Sequence, residues 1–431
     1  MIALKKRRFV IAVTALTASA LAIAGCSAGG GGDEGPINLT MTVWGGEVDQ
    51  KTYTERIELA EEQFPNVDIK LELVADGYDQ KLQTRIAGGN SPDIIQIAES
   101  VNVYASKGQL LDLGPAFQEA GIDVDAEFGE ANASIFRSDG GLWAAPDRAG
   151  AMVLYYNTDL FDAAGVEYPT ADWGWDDFRD AAKKLTIRDG DNITQFGFAA
   201  GDWWPWYMTF MMQNGGSVLD ADGQPVINSP ENVEALEFYH DIVFEDGSAP
   251  TPVDYANLGL ADTQADPLFV QGKLAMVATG FWSVPYYDSI DGLNWGVSPV
   301  WQGEVQATPA FFSGLAVSAA SKHPEVATEV VQFLTSETGQ LPIALNGEDV
   351  PASIAVASSE DFVNPSWLSS PVSLDAFAES ATFTYVPPLV PEFNEIVKAF
   401  TDNMASVWSG DDSVQNGLDR VQAAVEQIMA G

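Results

Sequence analysis

Two hydrophobic periods alternate along the chain, and their alternation predicts an α/β fold. Leu39, Met41 and Val43 are separated by polar residues, as in a half-buried strand. Apolar residues then recur at helical spacing over 53–64, and the strand period returns over 67–73. This strand–helix–strand unit predicts two parallel strands with a right-handed crossover between them.

The same reading continues to the C-terminus and predicts a second α/β region after the first. Further strands are predicted at 94–97, 152–156, 195–198, 274–278 and 315–318. Further helices are predicted at 82–87, 175–185, from about Pro205 onward, and at 233–243, 326–333, 393–407 and 414–428. No internal repeat of fixed period is visible.

The first 25 residues have the pattern of a secretory signal rather than of a folded segment. Basic residues 5–8 precede an apolar run over 9–24, which is short for a membrane span. The run ends in Ile23-Ala24-Gly25-Cys26, which resembles the bacterial lipobox. A plain cleavage site with an unrelated cysteine is the alternative, and we disfavour it because Cys26 is the only cysteine in the chain. We therefore interpret 1–25 as a lipoprotein signal peptide and 26–36 as the lipidated Cys26 followed by a flexible, glycine-rich tether.

Composition narrows the possible functions. Of 431 residues, 46% are hydrophobic, which is enough for sizeable cores. Twenty basic residues against 62 acidic ones give a formal net charge of −42. This balance excludes general nucleic-acid binding, which requires a basic face, and it disfavours electrostatic adsorption to an anionic membrane. A single cysteine excludes an internal disulfide and a cysteine-rich metal site.

No catalytic motif stands out. The two histidines, His240 and His323, are read as surface residues. Walker, Gly-x-Ser-x-Gly, zinc-protease and EF-hand patterns are missing from the sequence. We predict neither a metal nor a cofactor, and nothing in the sequence supports a hydrolase.

Clustered aromatic residues are the positive signal. Trp44 ends the first strand, 202–207 holds four large rings at a helix start, Trp282 follows a strand and a glycine, and 311–312 precedes another strand. Ligands of open α/β sheets bind beyond the carboxyl ends of strands. Rings there can stack on the apolar faces of sugars. Core packing explains any single ring equally well, and only the ensemble favours a saccharide site.

Ordered short strings give the chain a family resemblance over nearly all of residues 38–431. It resembles the extracellular solute-binding proteins of ABC importers, the large family that includes maltose-binding protein. The strings are Leu39-Thr40-Met41-Thr42-Val43-Trp44, Phe64-Pro65-Asn66-Val67, Ala87-Gly88-Gly89-Asn90-Ser91-Pro92-Asp93-Ile94, Leu154-Tyr155-Tyr156-Asn157-Thr158-Asp159-Leu160-Phe161, Trp175-Asp176-Asp177-Phe178, Ala182-Lys183-Lys184-Leu185-Thr186, Gln213-Asn214-Gly215-Gly216 and Phe269-Val270-Gln271-Gly272-Lys273-Leu274-Ala275-Met276.

The resemblance implies a two-lobe periplasmic-binding-protein fold of type II with its ligand in the interlobe cleft. Lobe 1 would comprise 37–150 plus 313–358, and lobe 2 would comprise 151–312 plus 359–431. The crossings would lie near 148–153, 309–313 and 355–365. The lobes would close over the ligand by hinge motion and thereby signal occupancy to the permease.

The resemblance also implies ligand contacts at matching positions. The candidate substrate-binding residues are Trp44, Glu47, Tyr78, Glu99, Asp147, Arg148, Asp202, Trp203, Trp204, Trp206, Trp282, Phe312 and Phe393. Many relatives carry Pro-Ala-Arg where this chain has Pro351-Ala352-Ser353, so that arginine contact is absent here.

The leading interpretation is a non-enzymatic, lipid-anchored binding protein of a saccharide importer, with an oligosaccharide as the expected ligand. Its partners would be the transmembrane permease subunits and, through Cys26, the extracytoplasmic face of the membrane; we expect a monomer, no nucleic acid, and a Gram-positive host. A surface carbohydrate-active hydrolase or lyase is one alternative. A polyamine or other small-solute binder is another, since acidic clefts with aromatic walls suit amines.

Overall fold

The β-strands within the described residues form two large sheets and one small one. The computed structural model describes residues 35–190, 192–260 and 265–430. The described residues contain thirteen strands: β1 Ile37–Trp44, β2 Val67–Val74, β3 Ile94–Ile97, β4 Arg137–Ser138, β5 Gly141–Leu142, β6 Ala145–Ala151, β7 Val153–Asn157, β8 Ile187–Asp189, β9 Asn192–Phe198, β10 Leu274–Thr279, β11 Trp295–Ser298, β12 Thr308–Val317 and β13 Thr384–Tyr385.

Helices pack around these sheets. Those within the described residues are α1 Glu47–Gln63, α2 Tyr78–Ala87, α3 Val101–Ala105, α4 Gly114–Glu119, α5 Val124–Phe128, α6 Glu130–Ile135, α7 Thr158–Ala164, α8 Trp175–Leu185, α9 Trp204–Gln213, α10 Pro230–Phe244, α11 Pro252–Asn257, α12 Asp266–Val270, α13 Ser283–Asp288, α14 Pro324–Leu334, α15 Glu337–Asn346, α16 Ile354–Ala357, α17 Glu360–Val363, α18 Asp375–Ser380, α19 Phe393–Trp408 and α20 Val414–Met429, with a 3-10 turn at Ala381–Phe383.

The first sheet has the order β13-β12-β3-β1-β2, and β6 also pairs with β12. β1 is parallel to both β2 and β3, whereas β12 is antiparallel to β3. The predicted β1–α1–β2 unit is therefore confirmed, with Ile37 opposite Val67. The first lobe is built on this sheet.

The second lobe is built on the sheet β11-β7-β10-β9-β8. β9 and β10 are parallel, and β7 runs antiparallel to both β10 and β11. All six residues of β10 are buried, so this strand lies between helical layers and carries no polar face.

Each lobe has its own hydrophobic core. In the first, Met41, Ile94 and Leu315 are completely buried on neighbouring strands. In the second, Leu154 and Met276 occupy the equivalent place in the sheet. Full burial of such a side chain is worth about 1.5–3 kcal/mol relative to leaving it in water, so each lobe is stabilised mainly from within.

Two strands at the lobe junction differ from the sequence expectation. β6 has no hydrophobic alternation, and it is a strand because its backbone pairs with β12, where Ser313 lies opposite Arg148. β12 is also longer than the strand predicted at 315–318, because its first half runs beside β6. Pairing between distant segments thus creates strands that local periodicity does not reveal.

The predicted signal peptide at 1–25, the lipidated Cys26 and most of the tether lie outside the described residues. The described residues from Pro36 onward form one compact unit. None of the helices in the described part of the chain combines the length and the apolarity that a membrane span requires.

Candidate functional site

A cavity of about 520 Å³ lies between the two lobes. The first lobe contributes the end of β1, the turn into α1, and residues after β3. The second lobe contributes the start of α9 and the residue before α13. The lining residues are Trp44, Gly45, Gly46, Glu47, Val48, Asp49, Ala98, Glu99, Arg148, Trp203, Trp204, Pro205, Trp282, Phe311, Phe312, Ser313, Glu348 and Asp349.

Three rings form one wall of this cavity. The Trp203 ring stacks on the Phe311 ring with centroids 5.7 Å apart and planes 18° apart. Trp282 packs against Phe311 at 4.8 Å and against Trp203 at 6.5 Å. Trp282 remains 40% exposed, which is unusual for so large an apolar residue. The wall is therefore a preformed aromatic surface that is open to a ligand.

A glycine places the Trp282 ring. Trp282 follows the buried strand β10, and its ring lies directly over the backbone of Gly280. A Cβ atom at position 280 would come within 2.1 Å of the ring, so only glycine allows this approach. The Thr279-Gly280-Phe281-Trp282 string thus turns one ring, Phe281, into the core and the next toward the cavity.

A second cavity of about 370 Å³ shares Trp44, Ala98, Glu99 and Trp204 with the first. Its remaining lining residues are Tyr78, Asp79, Ser100, Phe393, Asn394 and Val397. The two cavities therefore adjoin and make an elongated cleft. Edge-to-face ring pairs form the walls of the second cavity.

One such pair belongs to each lobe. On the first lobe the rings of Trp44 and Tyr78 meet edge to face at 5.2 Å. The Tyr78 hydroxyl donates to the backbone carbonyl of Gln96 at 2.6 Å, so its ring rather than its hydroxyl is available to a ligand. On the second lobe Trp204 and Phe393 form the matching pair at 6.0 Å.

A largely buried charge network lines part of the first cavity. Arg148 donates to Asp49 at 3.1 Å and forms an ion pair with Glu348. Burial lowers the pKa of Arg148, but Glu348, Tyr53 and Asp49 outweigh it, and the net pKa is raised. Burial also raises the pKa of Asp349 to about 6. Arg148 is thus a permanent cation in an otherwise acidic pocket.

Glu99 lies where the two cavities meet. It is half-buried, and desolvation raises its pKa to about 7; a backbone hydrogen bond opposes this shift and the nearby Asp79 charge adds to it. Burial raises the pKa of Asp79 as well. An acceptor of this kind gains most from a ligand hydroxyl, because burial leaves it poorly solvated.

Three predicted contacts do not line either cavity. Asp147 is completely buried and bound by the Arg56 guanidinium at 2.5 Å, so it is a structural residue. Trp206 is only 3% exposed and donates to the Ala278 carbonyl at 2.7 Å, which places it in the core of the second lobe. Asp202 is half-buried beside the aromatic wall but outside the lining.

Phe312 lines the cavity only marginally. It is 7% exposed, and its ring packs edge to face on Phe136 in the core of the first lobe. Its neighbour Phe311 points the opposite way and joins the aromatic wall, because successive side chains of a strand alternate between faces. Phe311 is therefore the residue that the sequence reasoning missed, although the strand period of β12 could have separated the two.

The polar residues Asp49, Ser313, Glu348 and Asp349 were also missed. Asp49 lies in the first turn of α1, where its carboxylate accepts from the Gly46 amide at 2.7 Å. Glu348 and Asp349 follow α15, nearly 300 residues further along the chain. Nothing in the local sequence distinguishes them from the many other carboxylates, since only the tertiary fold brings them to Arg148.

The other predicted residues all line the cleft. Trp44, Glu47, Glu99, Arg148, Trp203, Trp204 and Trp282 border the first cavity, whereas Tyr78 and Phe393 border the second. The two lobes and the cleft between them are the features of two-lobe solute-binding proteins.

Comparison with known proteins leads to a family. The chain matches the bacterial extracellular solute-binding protein family over residues 44–341, and it belongs to that family. An ABC substrate-binding protein from Listeria monocytogenes, solved in complex with cycloalternan, superposes with a TM-score of 0.83 at 28% identity, over 92% of this chain and 99% of that one.

Curated relatives agree with the structural match. The maltodextrin-binding protein of Bacillus subtilis is 25% identical over 425 residues, which cover 95% of this chain and 92% of the relative. The arabinooligosaccharide-binding protein of the same organism is 26% identical over 348 residues, 75% of each chain. The family and these relatives are binding proteins.

Proposed function

We propose that this protein binds a saccharide in the interlobe cleft and delivers it to the permease of an ABC importer. The observation that carries the proposal is the aromatic wall of Trp203, Trp282 and Phe311, which faces carboxylates across an open cavity. Sugars present apolar faces to rings and hydroxyl groups to charged acceptors. Both requirements are met within one cleft.

The elongated cleft favours an oligosaccharide over a single sugar. The two adjoining cavities share four residues, and each has its own rings: Trp203 and Trp282 in one, Tyr78 and Phe393 in the other. A ligand of two or more sugar units can stack in both. Glu99, at their meeting point, would accept hydroxyl hydrogen bonds from neighbouring units.

Closure of the lobes would report occupancy to the permease. We propose lobe boundaries at 37–150 plus 313–358 and 151–312 plus 359–431, with the paired strands β6 and β12 as two of the three crossings. A ligand that touches both lobes stabilises the closed form through its extra contacts there. The transmembrane subunits would recognise that form.

We further propose that Cys26 is lipidated, that the protein is a monomer anchored to the extracytoplasmic face of the membrane, and that the host is Gram-positive. The lipobox-like string before Cys26 supports the anchor. Two or more acyl chains suffice for stable anchoring.

Thermal unfolding in the presence of a mono- and oligosaccharide panel tests the function. At a ligand concentration a hundred times its dissociation constant, binding should add about 2.7 kcal/mol to the free energy of unfolding. Spermidine serves as the comparison for an amine binder, and chromatography of the incubated sugars detects any hydrolase or lyase product. Stabilisation by no sugar, or product formation, contradicts the proposal.

A further inference from the structure

The segment 386–392 contacts the cores of both lobes. It follows β13 and leads into α19. Tyr385 and Val390 pack against the core of the second lobe, whereas Leu389 between them packs against the core of the first. Pro387, Pro388 and Pro391 restrict the backbone of this segment. One apolar side chain of a stiff loop thus reaches across the lobe boundary.

A partly buried hydrogen bond holds the same residue. The Asn102 Nδ2 atom, on helix α3 of the first lobe, donates to the Leu389 carbonyl oxygen at 2.6 Å. The Ser138 hydroxyl donates to Asn102 Oδ1 at 2.7 Å, which fixes the amide so that its NH₂ group faces Leu389. Asn102 is only 8% exposed. Its bond to Leu389 is therefore partly shielded from water, and losing the donor would remove this hydrogen bond from the Leu389 carbonyl.

On its other side the segment covers a cavity of the second lobe. This cavity has a volume of about 370 Å³ and is bordered by Tyr385 of β13 and by residues 386–388 and Val390 of the segment. Met208, Met211 and Met212 line it from α9. Methionine side chains adapt to changing shapes, so the segment has room to shift relative to its own lobe. Its Leu389 carbonyl accepts a hydrogen bond from the opposite lobe.

We propose that 386–392 is an interlobe clasp, in which Leu389 and Asn102 hold the two lobes together. The clasp adjoins the cleft. Ser100, two residues before Asn102, and Phe393, the residue directly after the segment, both line the second cavity. Neither Asn102 nor Leu389 lines either cavity of the cleft. The clasp therefore acts on the open–closed equilibrium without selecting among ligands.

This role has a thermodynamic consequence for ligand binding. If the closed form binds ligand, weakening the clasp lowers the closed fraction and reduces the apparent affinity by the same factor for every ligand. The loss of one partly buried hydrogen bond corresponds to about a two- to tenfold loss of affinity. This affinity effect rests on the proposed function, whereas the change in lobe separation does not.

Two variants break the clasp in different ways. Asn102→Asp keeps the acceptor for Ser138 but removes the donor to Leu389, and Leu389→Ala removes the apolar contact. Two matched controls alter similar groups within the second lobe. Asn403→Ala removes an amide that donates to the Ala399 carbonyl within α19, and Val390→Ala truncates a clasp residue that packs on its own lobe.

The measurement is the distance between spin labels on the exposed residues Lys81 and Lys398 of the full chain. Each labelled protein carries Lys81→Cys and Lys398→Cys for the labels and Cys26→Ser to remove the native thiol. The distance is measured by double electron–electron resonance without added sugar. We expect a longer mean distance in Asn102→Asp and in Leu389→Ala, and the parent distance in both controls. An unchanged or shorter distance in the two clasp variants overturns the proposal.

Calorimetric titration with the sugars that stabilise the parent gives the second readout. We expect each clasp variant to weaken binding of all these sugars by a common factor. A factor that differs from sugar to sugar would place the residues in ligand recognition and overturn the clasp. If no sugar binds the parent, the proposed function fails and the label distances still decide the clasp.

Discussion

Trp282 and Trp206 show how two similar residues come to have different roles. Both belong to aromatic clusters in the sequence. Trp282 is 40% exposed above Gly280, whereas Trp206 is 3% exposed and uses its indole N–H on the Ala278 carbonyl. The first is placed to contact a ligand and the second to stabilise the lobe.

Replacing each tryptophan with alanine should therefore have opposite effects. Trp282→Ala should weaken saccharide binding by about 2–4 kcal/mol, because an aromatic anchor is lost from the cavity. Trp206→Ala should lower the free energy of unfolding by about 3–5 kcal/mol, because a core ring is lost. Calorimetric titration and urea unfolding of both variants measure the two quantities. A destabilised Trp282→Ala protein with unchanged affinity would show that the ring is structural.

Glu99 should make stability depend on pH. Its pKa is about 7 in the folded protein, above the ordinary value of 4.5, because burial disfavours the charged form. Between these values the folded state holds a proton that the unfolded state has lost, so stability falls as the pH rises through this window. Glu99→Gln should remove this contribution.

Thermal unfolding of the parent and of Glu99→Gln from pH 4.5 to pH 8 tests the assignment. We expect the variant to gain stability relative to the parent as the pH approaches 7. Asp349, whose pKa is about 6, titrates in both proteins and cancels in the difference. A difference that is constant across this range would contradict a raised pKa at Glu99.

At the scale of secondary structure, one buried ion pair and the hydrogen bonds of its arginine connect four elements. Arg56 on α1 binds Asp147 on β6, and its guanidinium also donates to the Leu334 and Gly339 carbonyls at the ends of α14 and α15. The Tyr53 hydroxyl donates to the same carboxylate at 2.9 Å. This network fixes β6 to the first lobe at Asp147, and the next residue, Arg148, lines the cavity.

Asp147→Ala should leave Arg56 buried and unpaired, at a cost of about 3–5 kcal/mol in the free energy of unfolding. Asp402→Ala is the matched control, because it removes an exposed ion pair with Lys398, worth about 0–1 kcal/mol. Urea unfolding compares the two variants. A large loss of saccharide affinity in folded Asp147→Ala, with little loss of stability, would instead make Asp147 a ligand contact.

At the scale of the whole molecule, ligand binding should compact the protein. The cavity is lined by both lobes, so a ligand gains its full set of contacts only when they approach each other. Small-angle scattering should show a smaller radius of gyration with a saturating sugar. A sugar that gives no thermal stabilisation is the control. An unchanged radius with tight binding would contradict hinge closure.

The attachment of the molecule to the cell should depend on Cys26. Cys26→Ala should be released from the membrane fraction, because it removes the predicted lipidation site. Ser27→Ala, which changes the adjacent residue, should remain bound. Fractionation of cells followed by immunoblotting measures both. A Cys26→Ala protein that stays in the membrane fraction would contradict lipid anchoring through Cys26.

The alternation of strands and helices, and most of the aromatic residues of the cleft, could be predicted from the amino-acid sequence alone. Strands such as β1 and β2 and helices such as α1 show their own periods, since burial of one face imposes a spacing that can be read locally. Trp44, Trp203 and Trp282 were found because they follow strand ends, where ligand sites of α/β folds occur.

Which polar side chains contact one another, in contrast, could be seen only in the tertiary structure. Asp147 and Arg148 are neighbours in the chain, yet one is buried against Arg56 and the other enters the cavity, because successive residues of β6 face opposite sides. Glu348 reaches Arg148 across 200 residues of sequence. Contacts of this kind depend on how distant segments pack, and a local pattern carries no record of them.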